Sequence, residues 1–475
     1  DRKSREVTDL QTGDYRAQRA VASESLDASK GKAKALMEHE GAGGRYARAV
    51  MEKTLAYVAS LVPEITDTVD AVDEAMRTGY GWKTGPFEMI DQLGAGWLAE
   101  RMAASGVAVP GLLALAAEKG GFYKVENGRR MALGPDGSYR PVAIADGVLT
   151  IAALSLAKAP AWQGSAANLW DLGDGVAALE FRTKMNTFSE ALLSEVEEVV
   201  QRVPGDFRAL VIGSDSPVFS AGADLRTFLE TVEKGGPAAL ATFIDKGHAA
   251  FKALKYAPFP AVGAAAGLAF GGGCEVLLHC DAIQAGIELQ MGLVEPRIGL
   301  IPGWGGCKEM LLRFAAAGQD PLAATLSAFN LIAPARVSKS AADAKKLGFL
   351  RASDAITMNR DRLLGDAKRT ALALVDGYAA PQAPRLALPG AAGIAAIREK
   401  LDAEAEAGRL TAHDRVVGEA LAMVLSGGAD ADPSRPLEED AVLALEKAAF
   451  VDLLATQATV ARVRHMLETG KPLRN

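Results

Sequence analysis

The chain has 475 residues, of which 49% are hydrophobic and 23% charged, with a net charge of −7. This length predicts two or three domains, and the interspersed charges form no basic patch for nucleic acid. The three cysteines, Cys274, Cys280 and Cys307, lack metal-type spacing, so we expect reduced thiols and no metal. No apolar run reaches membrane-spanning length, which leaves peripheral association open. We expect a cytoplasmic protein and no integral membrane segment.

Residues 1–44 are polar and poor in hydrophobic residues. We expect them to form a linker at the cut end of a longer polypeptide. A helical domain is predicted over residues 45–160. Its first helix, residues 45–61, has apolar residues at helical spacing, and Gly85-Pro86 opens a later helix. Asn127-Gly128 predicts a hairpin with a type I′ turn.

Part of this helical domain resembles a known family. Residues 72–82, Gly85-Pro-Phe-Glu88 and Gly121-Phe-Tyr-Lys124 are similar to the C-terminal domain of 3-hydroxyacyl-CoA dehydrogenases. A glycine-rich match, residues 94–99, has no preceding strand and is interpreted as a helix-ending turn, so no nicotinamide fingerprint is found. The resemblance implies that NAD binds only a missing N-terminal domain. No cofactor and no dehydrogenase activity are expected of this chain alone.

A second domain is predicted over residues 165–350, where strands and helices alternate. Residues 176–181, 209–213 and 260–264 are predicted strands, and residues 188–203 a helix. Three segments in this domain suggest a catalytic site: Phe219-Ser-Ala-Gly-Ala-Asp-Leu225, the triple glycine 271–273 followed by Glu275, and Glu295 beside further glycines. A helix that opens after the glycines has free N–H groups able to stabilise an oxyanion, and two carboxylates could move protons.

These three segments resemble the crotonase (enoyl-CoA hydratase/isomerase) superfamily. The resemblance implies an α/β ββα spiral core, with a helical dehydrogenase-like domain before it and a helical region after it. It implies that the amides of Ala223 and Gly272 form an oxyanion hole, and that Glu275 and Glu295 are the two catalytic carboxylates. It also implies substrate or CoA contacts at Lys184, Ala221, Asp224 and Gly271, although a solvated role for Lys184 is equally open. The chain departs from the family at Val294 and Pro296, because the family usually has proline directly before the second glutamate.

The function implied is hydration of a 2-trans-enoyl-CoA, within a polypeptide related to bacterial multifunctional β-oxidation enzymes. Glu275 is favoured as the base and Glu295 as the acid, but the roles could be exchanged. Two alternatives stay open: an enoyl-CoA isomerase, and a non-catalytic module that binds acyl-CoA or docks a thiolase. The partners implied are an acyl-CoA substrate, a possible thiolase and a possible homo-oligomer. Chain-length preference does not follow from the sequence.

Residues 351–475 are predicted to be helical, with helices over 355–374, 395–407, 412–425, 438–454 and 459–469. We find no catalytic constellation there and expect these helices to cover the core or to make a subunit contact. His248 and His279 are expected to be structural. Ser220 lies beside the alanine-glycine turn but lacks a base, so it is not expected to act as a nucleophile.

Overall fold

The structure is a computed structural model that describes residues 6–18 and 22–475. Contacts divide the chain into two compact units, Asp1–Ile144 and Ala145–Asn475. The sequence predicts that the helical domain ends at residue 160. The boundary between the two units lies earlier in the chain, and Ile151 already packs into an apolar cluster of the second unit. Among the described residues, no helix has both the length and the apolar character that a bilayer crossing requires.

The first unit combines helices with two small antiparallel sheets. Its elements, within the described residues, are β1 (Glu6–Thr8), β2 (Tyr15–Ala17), α1 (Glu24–Ser29), α2 (Ala33–Glu38), α3 (Ala42–Ser60), α4 (Val69–Tyr80), α5 (Pro86–Leu93), α6 (Ala95–Ala104), α7 (Gly111–Lys119), β3 (Tyr123–Glu126), β4 (Arg129–Leu133) and β5 (Tyr139–Pro141). The predicted linker 1–44 thus contains a hairpin and two short helices. Residues 1–5 and 19–21 of that linker lie outside the described residues.

Buried carboxylates connect the elements of the first unit. Asp73 accepts hydrogen bonds from the Phe87 amide at 2.8 Å and from the Tyr123 hydroxyl at 2.7 Å.

The turn between β3 and β4 has positive φ at both Asn127 (50°) and Gly128 (71°), as a type I′ turn requires. Helix α6 follows α5 directly after Gly94, which has a φ of 93°. The glycine-rich match at residues 94–99 is therefore a break between two helices.

The second unit, whose backbone the structure describes throughout, contains twelve helices and eleven strands. They are α8 (Ile151–Ala157), β6 (Trp162–Gln163), β7 (Ala167–Asp171), β8 (Val176–Phe181), α9 (Glu190–Asp206), β9 (Ala209–Ile212), α10 (Leu225–Lys255), β10 (Ala261–Ala265), β11 (Leu268–Phe270), α11 (Gly272–Leu278), β12 (Ala282–Gly286), β13 (Gln290–Gly292), α12 (Gly306–Ala316), α13 (Pro321–Ile332), α14 (Ala341–Lys346), β14 (Ala355–Thr357), α15 (Leu363–Val375), β15 (Arg385–Leu386), α16 (Ala391–Glu406), α17 (Ala412–Ser426), β16 (Leu437–Glu438), α18 (Glu439–Leu454) and α19 (Gln457–Thr469).

The main sheet of this unit has seven strands in the order β14-β12-β10-β9-β8-β7-β6. The pairs from β8 to β14 are parallel, whereas β6 and β7 are antiparallel to their neighbours. Its central strands are almost wholly apolar, as expected for parallel strands covered on both faces.

A second, smaller parallel sheet determines where the candidate site lies. Strands β11 and β13 pair with Phe270 opposite Gly292, and Ser220 forms a parallel bridge to Ala269. Successive β-pairs thus contribute one strand to each sheet, which is the ββα spiral that the sequence predicts. Since parallel strands end at the same edge of a sheet, the loops after these three segments leave it side by side.

The region after residue 350 differs from its prediction. Residues 355–357 form the edge strand β14, which pairs with β12, instead of opening a helix. Short apolar runs cannot be told from helix by periodicity alone, and here the pairing with β12 decides. Helices α16 to α19 share one apolar core with the spiral, to which Leu425, Phe450 and Val463 contribute. The C-terminal region is therefore part of the same compact unit.

Candidate active site

The three sequence segments meet at one cavity of about 320 Å³ in the second unit. Its lining includes Ala223, Gly272, Glu275 and Glu295, the four residues that the resemblance implicated in chemistry. Most of the remaining wall is apolar. The sequence therefore predicted which side chains share a cavity although they lie up to 72 positions apart (295 minus 223).

Two backbone amides in this cavity have no hydrogen-bond partner among the residues that the structure describes. Neither the Ala223 nor the Gly272 N–H donates a hydrogen bond within the described part of the chain. The two loops touch, because a Cβ built on Gly222 would lie 3.4 Å from the Gly272 nitrogen. A carbonyl oxygen that approaches this point can accept from two N–H groups, which is the arrangement of an oxyanion hole.

Glu275 lies in the first turn of α11 and is 2% exposed. Its Oε1 accepts hydrogen bonds from the amides of Trp304 at 2.7 Å and Gly306 at 2.9 Å. Its Oε2 accepts none within the described residues. One oxygen is therefore fixed by backbone amides, while the other has no partner among the described residues and belongs to a side chain that lines the cavity.

Glu295 opens a 3-10 turn, Glu295–Ile298, that ends at Gly299 with a φ of 80°. Pro296 occupies an early position of this turn, where its missing N–H is not needed, so the departure from the family pattern is accommodated locally. Glu295 is half-buried, and its Oε2 is shielded from solvent without a hydrogen-bond partner. An unpartnered buried oxygen favours the protonated carboxyl.

Burial and the charges of neighbouring carboxylates raise the pKa of both carboxyls. Burial raises the pKa of Glu275 well above its ordinary value, the charges of Glu295 and Glu446 raise it further, and the Trp304 and Gly306 amides oppose the rise. Burial likewise raises the pKa of Glu295, its own amide opposes this, and the Glu446 charge adds to it. Because neighbouring buried carboxylates do not readily ionise together, the pair tends to hold a proton at neutral pH.

The four residues assigned to substrate or CoA contact divide into two groups. Ala221 and Gly271 line the cavity. Lys184 is exposed on a separate 3-10 turn and is not among the lining residues. The Asp224 carboxylate caps α10 by accepting from the Arg226 amide at 3.0 Å, and it too is outside the lining. The geometry thus brings two of the four to the cavity.

The sequence reasoning missed the residues that the C-terminal helices contribute. Phe450 of α18 and Met466 of α19 form part of the cavity wall, together with Leu225 and Phe228 of α10. The sequence held a signal that this helix face is buried. Residues 443, 446, 450 and 453 share one face of α18 at helical spacing, and all but one of them are apolar. The exception is acidic. That residue is Glu446.

A buried ionic cluster lies behind Glu275. Lys308, which is fully buried, contacts Glu309 and Glu439, and its Nζ lies 3.2 Å from His279 Nε2. Lys308 can only donate, so the His279 proton sits on Nδ1, which donates to the Glu275 carbonyl oxygen at 2.7 Å. Burial, followed by the nearby Lys308 charge, lowers the pKa of His279 from 6.5 to about 3.

The remaining reactive side chains have structural surroundings. Ser220 Oγ donates to the Asn186 carbonyl at 2.7 Å and accepts from the Gly222 amide, so it supports the oxyanion loop. The three cysteines are buried and unpaired. Within the described ranges, no histidine, cysteine and acidic side chains are grouped as a metal site would need.

Comparison with known proteins gives two family matches. Residues 172–321 match the enoyl-CoA hydratase/isomerase family, and residues 44–116 match the family described as the C-terminal domain of 3-hydroxyacyl-CoA dehydrogenase. The first match contains all four residues of the cavity named above. The second covers helices of the first unit.

Relatives and solved structures extend these matches. The chain is 35% identical over 457 residues to a Bacillus subtilis protein named "Probable 3-hydroxyacyl-CoA dehydrogenase", which covers 96% of this chain and 58% of that protein. It is 34% identical over 153 residues to the "Fatty acid oxidation complex subunit alpha" of Idiomarina loihiensis, covering 31% of this chain and 21% of the relative. An enoyl-CoA hydratase structure from Bacillus halodurans aligns with a TM-score of 0.44 and 17% identity, over 63% of this chain and 99% of its own. The chain therefore spans 58% and 21% of the lengths of these two relatives.

Proposed function

We propose that this chain hydrates 2-trans-enoyl-CoA to 3-hydroxyacyl-CoA in fatty acid β-oxidation. The matches of residues 172–321 to the enoyl-CoA hydratase/isomerase family and of residues 44–116 to the dehydrogenase C-terminal family support this proposal. The observation that carries the proposal is the shared cavity, whose lining includes two carboxyls and two residues with amides that have no partner among the described residues. Its apolar wall of Leu225, Phe228 and Phe450 suits an acyl chain.

The geometry supports the following reaction. The thioester oxygen accepts hydrogen bonds from the Ala223 and Gly272 amides, which stabilise the negative charge that develops on it. Glu275, whose ionised form is favoured by two amide hydrogen bonds against the effect of its burial, removes a proton from water as the water oxygen bonds to C3. The protonated Glu295 delivers its proton to C2 of the enolate. The net change is addition of one water, and the two carboxyls end with their protonation states exchanged.

Hydrogen bonds around the two carboxyls support Glu275 as the base and Glu295 as the acid, although burial and nearby carboxylates also raise the pKa of Glu275. Hydrogen bonds to a carboxylate favour its ionised form, and Glu275 accepts two of them. Glu295 Oε2 has no partner among the described residues, which favours its neutral form. The family offers a second reaction, isomerisation of a 3-enoyl-CoA, for which one carboxyl is sufficient.

The proposal is tested by following the absorbance of crotonyl-CoA, with a 3-enoyl-CoA substrate measured in parallel. We expect Glu275→Gln and Glu295→Gln each to lower kcat by about 10²–10⁴-fold, the usual contribution of a general acid or base. Both changes preserve size, and the amide oxygen that Glu275→Gln introduces can still accept from Trp304 and Gly306. Glu288→Gln is the matched control, since Glu288 is exposed and lies outside the cavity lining.

Four outcomes separate the candidate functions. Hydration that is lost in both variants supports the proposal. Near-normal turnover in one variant removes that residue from the mechanism. Acyl-CoA binding without any change in crotonyl-CoA would instead favour the non-catalytic module, and turnover of only the 3-enoyl substrate would favour the isomerase.

A second activity is proposed for a longer polypeptide that would contain this chain. We propose that the parent polypeptide is also a 3-hydroxyacyl-CoA dehydrogenase, with NAD bound outside the residues present here. A thiolase partner, self-association and a cytoplasmic location remain predictions. Assaying NAD-dependent oxidation of 3-hydroxybutyryl-CoA with this chain, and with a longer polypeptide that includes a nucleotide-binding domain, distinguishes the two activities.

A further inference from the structure

A third buried carboxylate shares the loop that holds Glu275. Residues 304–307, which lead into α12, present four consecutive amides. The amides of Trp304 and Gly306 donate to Glu275 Oε1, as described above. The amides of Gly305 and Cys307 donate to Glu446, at 2.5 Å to Oε1 and 3.1 Å to Oε2. Successive amides of the loop therefore donate alternately to Glu275 and to Glu446.

This alternation needs the backbone conformation at Gly305, whose φ is 94°. The left-handed residue turns successive N–H groups toward opposite sides of the loop. A Cβ at this position would lie 2.9 Å from the His279 ring, so a larger residue would also disturb the buried cluster. Sequence and packing together keep the loop in the form that serves both carboxylates.

Glu446 has little else to bind. It is fully buried on α18, and within the described residues the basic side chain closest to it is His248, whose Nε2 lies 4.0 Å from Oε1. Lys308 and Glu309 of α12 are engaged with Glu439 and Lys255. A buried carboxylate costs free energy unless hydrogen bonds satisfy it, and here the loop amides do so. Its location is thus better explained by the loop than by an ion pair.

We propose that Glu446 is a positioning residue for the hydration reaction: it fixes loop 304–307 so that the Trp304 and Gly306 amides hold Glu275 Oε1 and leave Oε2 available to the water. This rests on the proposed function and adds to it a residue from the C-terminal helices. Glu446 does not line the cavity, so it acts through the loop and through its charge.

A second prediction, on the pH dependence of activity, follows from the charge of Glu446. Its negative charge raises the pKa of both Glu275 and Glu295. The titratable groups that face Glu446 are these two glutamates, His248 of α10 and Cys307 of α12. If the charge is removed, the catalytic pair releases its proton at lower pH. Since one carboxyl must be protonated for catalysis, the alkaline limb of the activity profile then moves toward lower pH.

The experiment compares Glu446→Gln with the wild type for hydration of crotonyl-CoA across pH, with thermal melting measured in parallel. We expect kcat to fall about 10–100-fold, as for small misplacements of catalytic groups, with KM nearly unchanged and the alkaline limb at lower pH. Asp440→Asn is the matched control, because it removes a charge from the same helix at an exposed ion pair with Lys252. We expect that control to retain the wild-type profile.

Glu446→Asp separates position from charge and serves if Glu446→Gln does not fold. It keeps the charge but shortens the reach to the loop, so kcat should fall while the pH profile stays in place. Wild-type kcat in either folded variant, or a loss of activity fully accounted for by unfolded protein, would overturn the inference. Absence of hydration by the wild type would count against the proposed function instead, so the two failures are distinguishable.

Discussion

Replacing Gly271 with alanine would place a methyl group against the second carboxylate of the site. Gly271 has φ 53° and ψ −123°, a region that residues with a side chain rarely occupy. A Cβ there would lie 2.9 Å from Glu295 Oε1, closer than van der Waals contact allows. The carboxylate is a movable side chain, so we expect it to shift by a few tenths of an ångström or more and leave its productive position.

Gly271→Ala has two effects, one on the free energy of folding and one on kcat. Backbone strain of this kind costs about 1–3 kcal/mol of folding free energy. Displacement of the acid is expected to lower kcat by about 100-fold, because catalysis is sensitive to small errors of position. Gly377→Ala is the matched control: Gly377 has a φ of 75° but no atom within 4 Å of an added Cβ, so it introduces strain without a displaced carboxylate.

Chemical denaturation measures the strain, and hydration of crotonyl-CoA measures the loss of turnover. A double-mutant cycle with Glu295→Gln then identifies the cause. If Gly271→Ala acts through Glu295, it should lower kcat much less in the Glu295→Gln background than in the wild type. Wild-type kcat in a folded Gly271→Ala protein, or a full additional loss in the double variant, would refute the reasoning.

Two further predictions concern the cavity wall and the buried cluster. Phe450→Leu opens the apolar wall, so the ratio of kcat/KM for octenoyl-CoA to that for crotonyl-CoA should rise by up to about tenfold; an unchanged ratio would exclude Phe450 as a determinant of chain length. His279→Gln should reduce the dependence of unfolding free energy on pH. The folded pKa of about 3 lies below the ordinary 6.5, so the unfolded chain binds the extra proton between these values and stability rises with pH across that window. Denaturation at pH 4.5 and 7 checks this, and an equal pH difference in the variant would contradict it.

The residues that share the cavity could be predicted because they lie in short local motifs. Glu275 follows three glycines at the start of a helix, and Ala223 lies in a turn of small residues, so each motif specifies its own backbone. Asp224 was assigned by its place in the alanine-glycine loop and Lys184 by its place after the strand over residues 176–181, and neither lines the cavity. Their side chains extend from turns whose direction depends on neighbouring elements, which a local pattern does not encode.

The C-terminal region shows the opposite case. Its helices were predicted from periodicity, but their contribution to the cavity was not. Phe450 and Met466 reach it from more than 150 residues beyond Glu295 (450 minus 295 is 155), and β14 became a strand because β12 was available to pair with it. Such contacts between distant elements depend on packing, and apolar side chains identical in type can face any of several neighbours.

The sequence by itself determined the fold class and the local turns that carry Ala223, Gly272 and the two glutamates, since glycine conformation and helix starts are local properties of the chain. Only the tertiary structure decided what surrounds those carboxyls: the parallel strands that bring their loops to one edge, the amides of residues 304–307, and Glu446 from a distant helix. These depend on burial and on the mutual approach of charges, which exist only once the chain is packed.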